Sequence, residues 1–230
     1  MAANSMYENL MGLPLFNGVS YNRISEIVGN TRLAFSKYLP GETILEAGDP
    51  CTRMMFVIGG CVRLSVRNST DRFGVTQTLQ APSVISPDYL FGRNTLYPAT
   101  VTAIDTVSIM QIEKNDFINI IRTDEVCLFN YLNYISTNAQ KAIDGVLSLT
   151  SGSLEERIAF WIIALTQRDA HDIVLTCKQR DLYTLFGVQR SSFISTLDSM
   201  KMRGLIDYTS TEIRVISRND LRSILLKTPD

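Results

Sequence analysis

The chain has 230 residues, of which 45% are hydrophobic and 20% are charged, and its formal net charge at neutral pH is −1. A chain of this length and composition can bury a core without metals or disulfide bonds. No apolar run approaches the roughly 20 residues that span a bilayer, and the N-terminal stretch carries Glu8 and lacks the basic region of a secretion signal. We therefore expect a cytoplasmic protein that makes no membrane contact.

The residues that most often carry catalysis or bind metals are few. The cysteines are Cys51, Cys61, Cys127 and Cys177, and the single histidine is His171. No Cys-x-x-Cys pair occurs, so the spacing of a metal site is missing, and we expect reduced, mostly buried thiols and a surface loop around His171. Without a nucleophile–base pair or a phosphate-binding loop, the sequence argues against an enzyme.

The N-terminal half changes from helical to strand-like character. Residues 1–34 indicate short helices, and Asn22–Val28 places Ile24, Ile27 and Val28 on one side. Between Phe35 and Ile112, short runs rich in β-forming residues are separated by turn residues, as in TILEAG, MMFVIGGCVRLSVRN, GVTQTLQ and ATVTAIDTVSIMQI. Many short strands at close spacing predict a sandwich, roll or barrel.

A heptad pattern follows, within a helix predicted over about 124–149. Its apolar positions are spaced alternately by four and three residues: Leu128, Leu132, Ile135, Ala139, Ala142, Val146 and Leu149. This 3.5-residue period favours a coiled coil between two copies of the chain. The alternative is an amphipathic helix that packs on its own domain.

The pattern breaks at Thr150-Ser151-Gly152, where we place a hinge and domain boundary. Ser153 and Glu156 then have the spacing of a capping box, which predicts the start of another helix. Between Lys178 and Arg203, five basic residues face only two acidic ones. A local excess of positive charge in an otherwise acidic chain is typical of a surface that contacts nucleic acid.

Residues 178–206 have the pattern of two helices joined by a tight turn. Leu182, Leu185 and Phe186 form one apolar face, and Gly187 is placed as the left-handed turn residue. A second helix is predicted over about 189–201, with Phe193, Leu197 and Met200 facing inward. Leu205–Tyr208 and Glu212–Ile216 then alternate as a short hairpin, which would form a wing. An ordinary helical hairpin remains the alternative for this segment.

The exposed start of the second helix has the chemistry to read a major groove. Arg190 could donate two hydrogen bonds to guanine, and small hydroxyl side chains allow close approach to phosphates or bases. The candidates for DNA contact are Gln189, Arg190, Ser191, Ser192, Ser195, Lys178, Arg180 and Lys201.

Taken together, residues 12–220 resemble the Crp–Fnr family of bacterial transcription regulators. LPGETILEAGDP at 39–50 and MMFVIGGCVRLSV at 54–66 resemble the opening strands of the family's sensor roll. LYTLFGVQRSSF at 182–193 resembles its helix-turn-helix, with Gly187 as the turn glycine and Arg190 at the base-reading arginine.

The cyclic-nucleotide cassette of that family is degenerate here. The resemblance places Ser86-Pro87 at the glycine–glutamate pair that holds the ribose, and Tyr97-Pro98 at the arginine–serine pair that holds the phosphate. Arg93 lies nearby but does not match. We therefore expect no cAMP cofactor. The candidate residues for an effector pocket are Ser86, Pro87, Leu90, Phe91, Tyr97 and Pro98.

The chain also lacks the residues with which other members of the family bind an iron–sulfur cluster or a haem. No cysteine precedes Cys51, which argues against an N-terminal iron–sulfur cluster, and His171 is the only histidine for a haem. Ser191 and Ser195 stand where cAMP-responsive members carry glutamate and a second arginine, so the operator sequence should differ.

The resemblance implies an α+β protein with three parts. They are a cyclic-nucleotide-binding-like β-roll (a double-stranded β-helix) over 1–123, a dimerisation helix and hinge over 124–150, and a winged helix-turn-helix over 151–230. The expected function is a homodimeric transcription regulator on double-stranded pseudo-palindromic DNA, with RNA polymerase as a partner if it activates. Two rivals remain: control by another small ligand in the roll, and a C-terminal half that binds protein.

Overall fold

A computed structural model of the chain describes residues 9–147, 149–150 and 152–225. Glu8 and Ser151, which enter the sequence argument, lie outside the described residues. The chain divides into two compact units. The first comprises the chain up to Leu64 together with Leu79–Asn138, and the second comprises Ser65–Thr78 together with the chain from Ala139 onward. This division differs from the predicted boundary at 150–152, because it falls within the long helix and assigns a hairpin from the strand-rich region to the second unit.

The strand-rich region contains eight strands. They are β1 (Leu33–Tyr38), β2 (Thr43–Leu45), β3 (Arg53–Gly59), β4 (Cys61–Arg67), β5 (Phe73–Gln80), β6 (Ser83–Ile85), β7 (Thr100–Ala103) and β8 (Val107–Glu113). One sheet has the antiparallel order β1-β8-β3-β6. In the other sheet, β7 lies between β2 and β4. The prediction that this region folds as a roll of short strands is confirmed.

Two helices cover the core of the first unit. In α1 (Tyr21–Asn30), Ile24 and Ile27 are buried as the spacing predicts, and the Ser20 hydroxyl accepts a hydrogen bond from the Arg23 backbone N–H at the first turn. In α2 (Lys114–Thr123), Phe117 and Ile120 are buried. The side chains of Met54–Val57 in β3 are all buried, which is why that strand is a continuous apolar run rather than an alternating one.

The long helix α3 spans Glu125–Leu147. Its first turn is closed by Asp124, whose carboxylate accepts hydrogen bonds from the Cys127 backbone N–H at 2.9 Å and from Arg23 Nε at 2.8 Å. Burial opposes ionisation of Asp124, but these bonds outweigh it and hold the pKa of the carboxyl below its ordinary value. The helix was predicted to continue to Leu149. That prediction was wrong, because Leu149 lies in a turn after the helix.

The inner face of α3 lies beside the predicted seam rather than on it. Cys127 and Tyr131 are buried, and the Tyr131 ring meets Phe117 edge-on with centroids 5.1 Å apart. Along the seam, Leu132 is 43% exposed and Val146 is 66% exposed. The exposed alanines of the seam are Ala139 and Ala142, and its half-buried members are Leu128 and Ile135. The single chain therefore leaves the seam largely open to solvent.

The second unit adds three strands to β5. They are β9 (His171–Cys177), β10 (Ile206–Tyr208) and β11 (Glu212–Val215), and the order is β5-β9-β11-β10. The ladder between β5 and β9 is antiparallel and pairs Phe73 with Cys177. Strand β9 was not predicted from the sequence. His171 is exposed, but it begins this strand instead of lying in a loop.

Four helices complete the second unit: α4 (Leu154–Leu165), α5 (Gln179–Leu185), α6 (Arg190–Met202) and α7 (Arg218–Leu225). The capping box of Ser153 and Glu156 is confirmed, with both reciprocal hydrogen bonds in place. Within this unit Gly145 packs so closely against Ala164 that a methyl group would collide with it, which explains the one glycine inside α3. No helix in the described ranges combines the length and apolar character needed to cross a membrane.

Candidate nucleic-acid interface and effector region

The turn between α5 and α6 is built around Gly187. Its φ of +65° is left-handed, and its backbone N–H donates to the Thr184 carbonyl at 3.1 Å. The next residue, Val188, donates to the Tyr183 carbonyl at 3.0 Å. The Arg157 guanidinium also hydrogen-bonds the Phe186 carbonyl and lies over the Phe186 ring. These bonds satisfy the carbonyls at the end of α5 and fix the direction in which α6 begins.

Replacing Gly187 with alanine is expected to lower the free energy of unfolding by about 1 kcal/mol, because a β-carbon disfavours the left-handed region. Crowding does not contribute, since no atom lies within 4 Å of the added methyl position. Gly29→Ala is the matched control: Gly29 is equally open but helical, so alanine should raise stability by roughly 0.5–1 kcal/mol. Chemical denaturation measures both changes, and the same sign for both would contradict a left-handed turn at Gly187.

Helix α6 has one buried face and one polar face. Phe193, Leu197 and Met200 have no exposed surface and pack inward as predicted. The exposed side chains at its start are Gln189, Arg190, Ser191, Ser192 and Ser195. The structure gives Gln189 no capping bond to the helix. The polar groups of this face are therefore displayed to solvent.

The predicted cations do not form one group. Lys178 and Arg180 are exposed at the start of α5, and the structure gives Lys178 no capping bond. Lys201 lies at the other end of α6 from Arg190, and its Nζ is 2.6 Å from Asp207 Oδ1. That ion pair holds the pKa of Asp207 below its ordinary value. Lys201 is thus already paired, whereas Lys178 and Arg180 are exposed at the start of α5.

Hydrogen bonds hold the β10–β11 hairpin to α5, β9 and α6. Gln179 Nε2 donates to the Thr209 carbonyl at 3.0 Å, and the Cys177 backbone N–H donates to the Thr211 carbonyl at 2.8 Å. The Tyr208 hydroxyl donates to Asp198 Oδ1 at 2.6 Å. No local pattern could reveal Gln179, because its partner lies 30 residues away.

The candidate effector residues are mainly packing residues. Leu90 has no exposed surface, and Phe91 packs against Phe117 and Tyr131 with centroids 6.3 and 5.9 Å apart. Tyr97 is 4% exposed, and its hydroxyl donates to the Arg53 carbonyl at 3.0 Å. Burial raises the pKa of Tyr97, so its hydroxyl stays neutral. A tyrosine side chain has no positively charged form, so Tyr97 cannot pair with a phosphate as an arginine does.

The other three effector candidates lie after β6 and in the loop before β7. Ser86 is buried with a left-handed φ of 45°, Pro87 begins a short 3-10 turn, and Pro98 is half-buried. Pro87 lines a small cavity with Met54, Phe56 and Tyr131, and the cavity volume is about 20 Å³. This is room for roughly one water molecule and is too small for a nucleotide. Arg93 is exposed nearby.

Comparison with known proteins finds a family model and curated relatives that are similar to part of this chain. Residues 35–124 match the family model of the cyclic nucleotide-binding domain. Among curated proteins, the potassium channel SKOR of Arabidopsis thaliana is 31% identical over 116 residues, which are 47% of this chain and 13% of the channel. The chain thus spans about an eighth of the length of the curated relatives it matches.

Two solved structures share the fold. The catabolite activator protein of Thermus thermophilus is 17% identical, with a TM-score of 0.52 over 93% of this chain and 98% of that chain. The sensor domain of the transcriptional regulator DNR from Pseudomonas aeruginosa is 16% identical, with a TM-score of 0.51 over 60% of this chain and 90% of that chain. Residues 35–124 are therefore similar to the cyclic nucleotide-binding domain, and the fold of the chain is similar to that of the catabolite activator protein.

Proposed function

We propose that the chain is a sequence-specific, DNA-binding transcription regulator whose C-terminal unit is a winged helix-turn-helix. The polar face of α6 carries this proposal. Its start displays Arg190, Ser191 and Ser192 to solvent, while Phe193 and Leu197 anchor the opposite face in the core. A recognition helix requires this arrangement, because its first turn enters the major groove and its inner face holds it in the domain.

The flanking elements suit the same function. Lys178 and Arg180 at the start of α5 are candidates for phosphate contacts, and the β10–β11 hairpin would serve as the wing. Gln189 and Ser195 complete the polar face and are candidates for base or phosphate contacts. Lys201 is the weakest of the proposed phosphate contacts, because Asp207 already neutralises its charge.

Arg190→Ala is expected to weaken operator binding by about 1–3 kcal/mol, because arginine donates two hydrogen bonds to guanine that alanine cannot replace. Base preference should be lost at one position in each half-site. Arg63→Ala is the control, since Arg63 is also exposed but lies on β4. Fluorescence anisotropy with a set of single-base operator variants measures both effects.

Retention of both affinity and base preference by Arg190→Ala would reject α6 as the recognition helix. In that case a C-terminal half that binds protein becomes the better interpretation. The local positive charge and the displayed guanidinium of Arg190 argue for DNA instead.

We further propose that the regulator acts as a homodimer through α3. The seam from Leu128 to Val146 is apolar, follows a heptad period and is largely exposed in the single chain. Two-fold symmetry would place the two recognition helices on half-sites about one helical turn apart. In this assignment residues 1–123 are the sensor, 124–150 the dimerisation helix and hinge, and 151–230 the DNA-binding part.

The proposed regulator is not an enzyme and works without cAMP as a cofactor. Tyr97 stands where the resembled cassette requires an arginine, and its hydroxyl is committed to the Arg53 carbonyl. A different small ligand is the alternative mode of control. Binding to DNA places the protein in the cytoplasm, with RNA polymerase as its partner at promoters it activates.

A further inference from the structure

The second unit contains an open cleft that no part of the proposed function uses. Its volume is about 350 Å³, within the range of roughly 300–1,000 Å³ that small-molecule sites occupy. One wall is the first residue of β5, Phe73, and its ladder partner Cys177 at the end of β9. The opposite wall comes from Leu182 and Leu185 of α5. Paired strands and a packed helix thus form the cleft, so it is largely preformed.

An aromatic floor distinguishes this cleft from an ordinary surface groove. Trp161 of α4 lies between Phe73 and Phe186, with ring centroids at 5.5 and 5.8 Å. Phe186 in turn stacks on Phe193 of α6 at 6.2 Å. Burial raises the pKa of the Cys177 thiol to about 12, so the thiol stays protonated and adds to the apolar wall. A flat or branched apolar group would bury its surface here against these rings.

Two opposite charges stand among the residues that line the cleft. Arg72 and Asp181 are both exposed, and neither forms an ion pair within the part of the chain that the structure describes. The neighbouring acid, Asp71, forms an ion pair with Arg67, in which Arg67 Nη1 is 2.8 Å from Asp71 Oδ1. The Arg72 backbone N–H is held by Asn68 Oδ1 at 3.0 Å, which fixes where its side chain begins. The cleft therefore offers one cation and one anion beside an apolar floor.

We propose that this cleft binds a small zwitterion with an apolar side chain, such as an aromatic or branched-chain amino acid. Arg72 pairs with the carboxylate, Asp181 pairs with the ammonium group, and the side chain lies against Trp161 and Phe73. A ligand with only a carboxylate would be repelled by Asp181, and one with only an amine would be repelled by Arg72. The volume of about 350 Å³ is sufficient for an amino acid.

The test uses the full-length protein, in which Trp161 is the only tryptophan, so tryptophan fluorescence arises from a residue that lines the cleft. The zwitterionic probes are L-phenylalanine and L-leucine. The matched partial probes are 3-phenylpropionate, which lacks the ammonium group, and phenethylamine, which lacks the carboxylate. We expect saturable fluorescence changes with the amino acids at millimolar concentration or below, and at least tenfold weaker binding of both partial probes.

Two charge variants separate the contacts. Arg72→Gln should weaken the binding of L-phenylalanine at least tenfold without weakening the binding of phenethylamine. Asp181→Asn should weaken the binding of L-phenylalanine by a similar factor without weakening the binding of 3-phenylpropionate. Arg63→Gln, on β4 and away from the cleft lining, should change nothing. Absence of saturation with both amino acids, or equal affinities in all variants, would overturn the proposal. The titration contains no DNA, so its outcome is independent of whether the protein binds an operator.

Discussion

Replacing Ile135 with aspartate is expected to convert the protein from a dimer into a monomer. Ile135 is at the centre of the apolar seam on α3 and is only half-buried in the single chain. In a coiled coil its side chain would be enclosed by the partner helix, where an unpaired carboxylate costs several kcal/mol. Since the substitution occurs in both chains, we expect the dimer dissociation constant to rise by at least about 1,000-fold, or ~4 kcal/mol. Sedimentation velocity over a concentration series measures this directly.

The same variant should bind its operator weakly, because the second half-site contact is no longer intramolecular. Asn133→Asp is the matched control, since Asn133 is exposed on the same helix but lies outside the seam. It should stay dimeric and bind DNA normally. An intact Ile135→Asp dimer would show that the chains associate through another surface, and the α3 seam would then be a solvent-exposed face.

The second large effect concerns cyclic nucleotides: we expect neither cAMP nor cGMP to bind at micromolar concentration or to alter operator affinity. A cyclic phosphate loses water when it enters a pocket, so it binds tightly only where donors replace that water. The cassette position that should supply a guanidinium is Tyr97, whose hydroxyl is buried and already donates to Arg53. The next residue, Pro98, has no backbone N–H to offer. Losing such a charge-assisted bond costs several kcal/mol, or about 100-fold or more in affinity.

Isothermal titration calorimetry with each nucleotide, followed by operator titration in its presence, is the measurement. The Arg93→Ala variant serves as the control, because Arg93 is the exposed arginine nearest in sequence to the degenerate pair. Micromolar binding that raises operator affinity would contradict the expectation. If Arg93→Ala abolished that binding, Arg93 would be the residue that replaces the missing arginine.

Local sequence patterns predicted the elements that depend on interactions between residues close together in the chain. The capping box at Ser153, the left-handed turn at Gly187 and the inward positions of α6 follow from interactions within a few residues, and all are found in the structure. The start of α3 was predicted within one residue, but the apolar seam was predicted to reach Leu149, beyond the end of the helix. Leu149 continues the apolar period although the chain has already left the helix in a turn.

Long-range pairing explains what the sequence did not reveal. Strand β9 is stabilised by ladders to β5, almost 100 residues earlier, and to β11, so no local signal separated it from a loop. The same distance hides the contacts of Gln179 and Arg157, which hold the hairpin and the turn in place. The candidate effector residues were selected by resemblance to a cassette, whereas Leu90 and Tyr97 are used here to fill the core.

The central claim is that the protein reads DNA through α6, and selection from a random duplex library by the purified full-length chain tests it most directly. We expect enrichment of a pseudo-palindrome whose half-sites lie about one helical turn, roughly 34 Å, apart. With Arg190→Ala, the enriched motif should lose preference at one base pair in each half-site while the spacing is kept. A library that remains unenriched, or an identical motif with the variant, would contradict the claim.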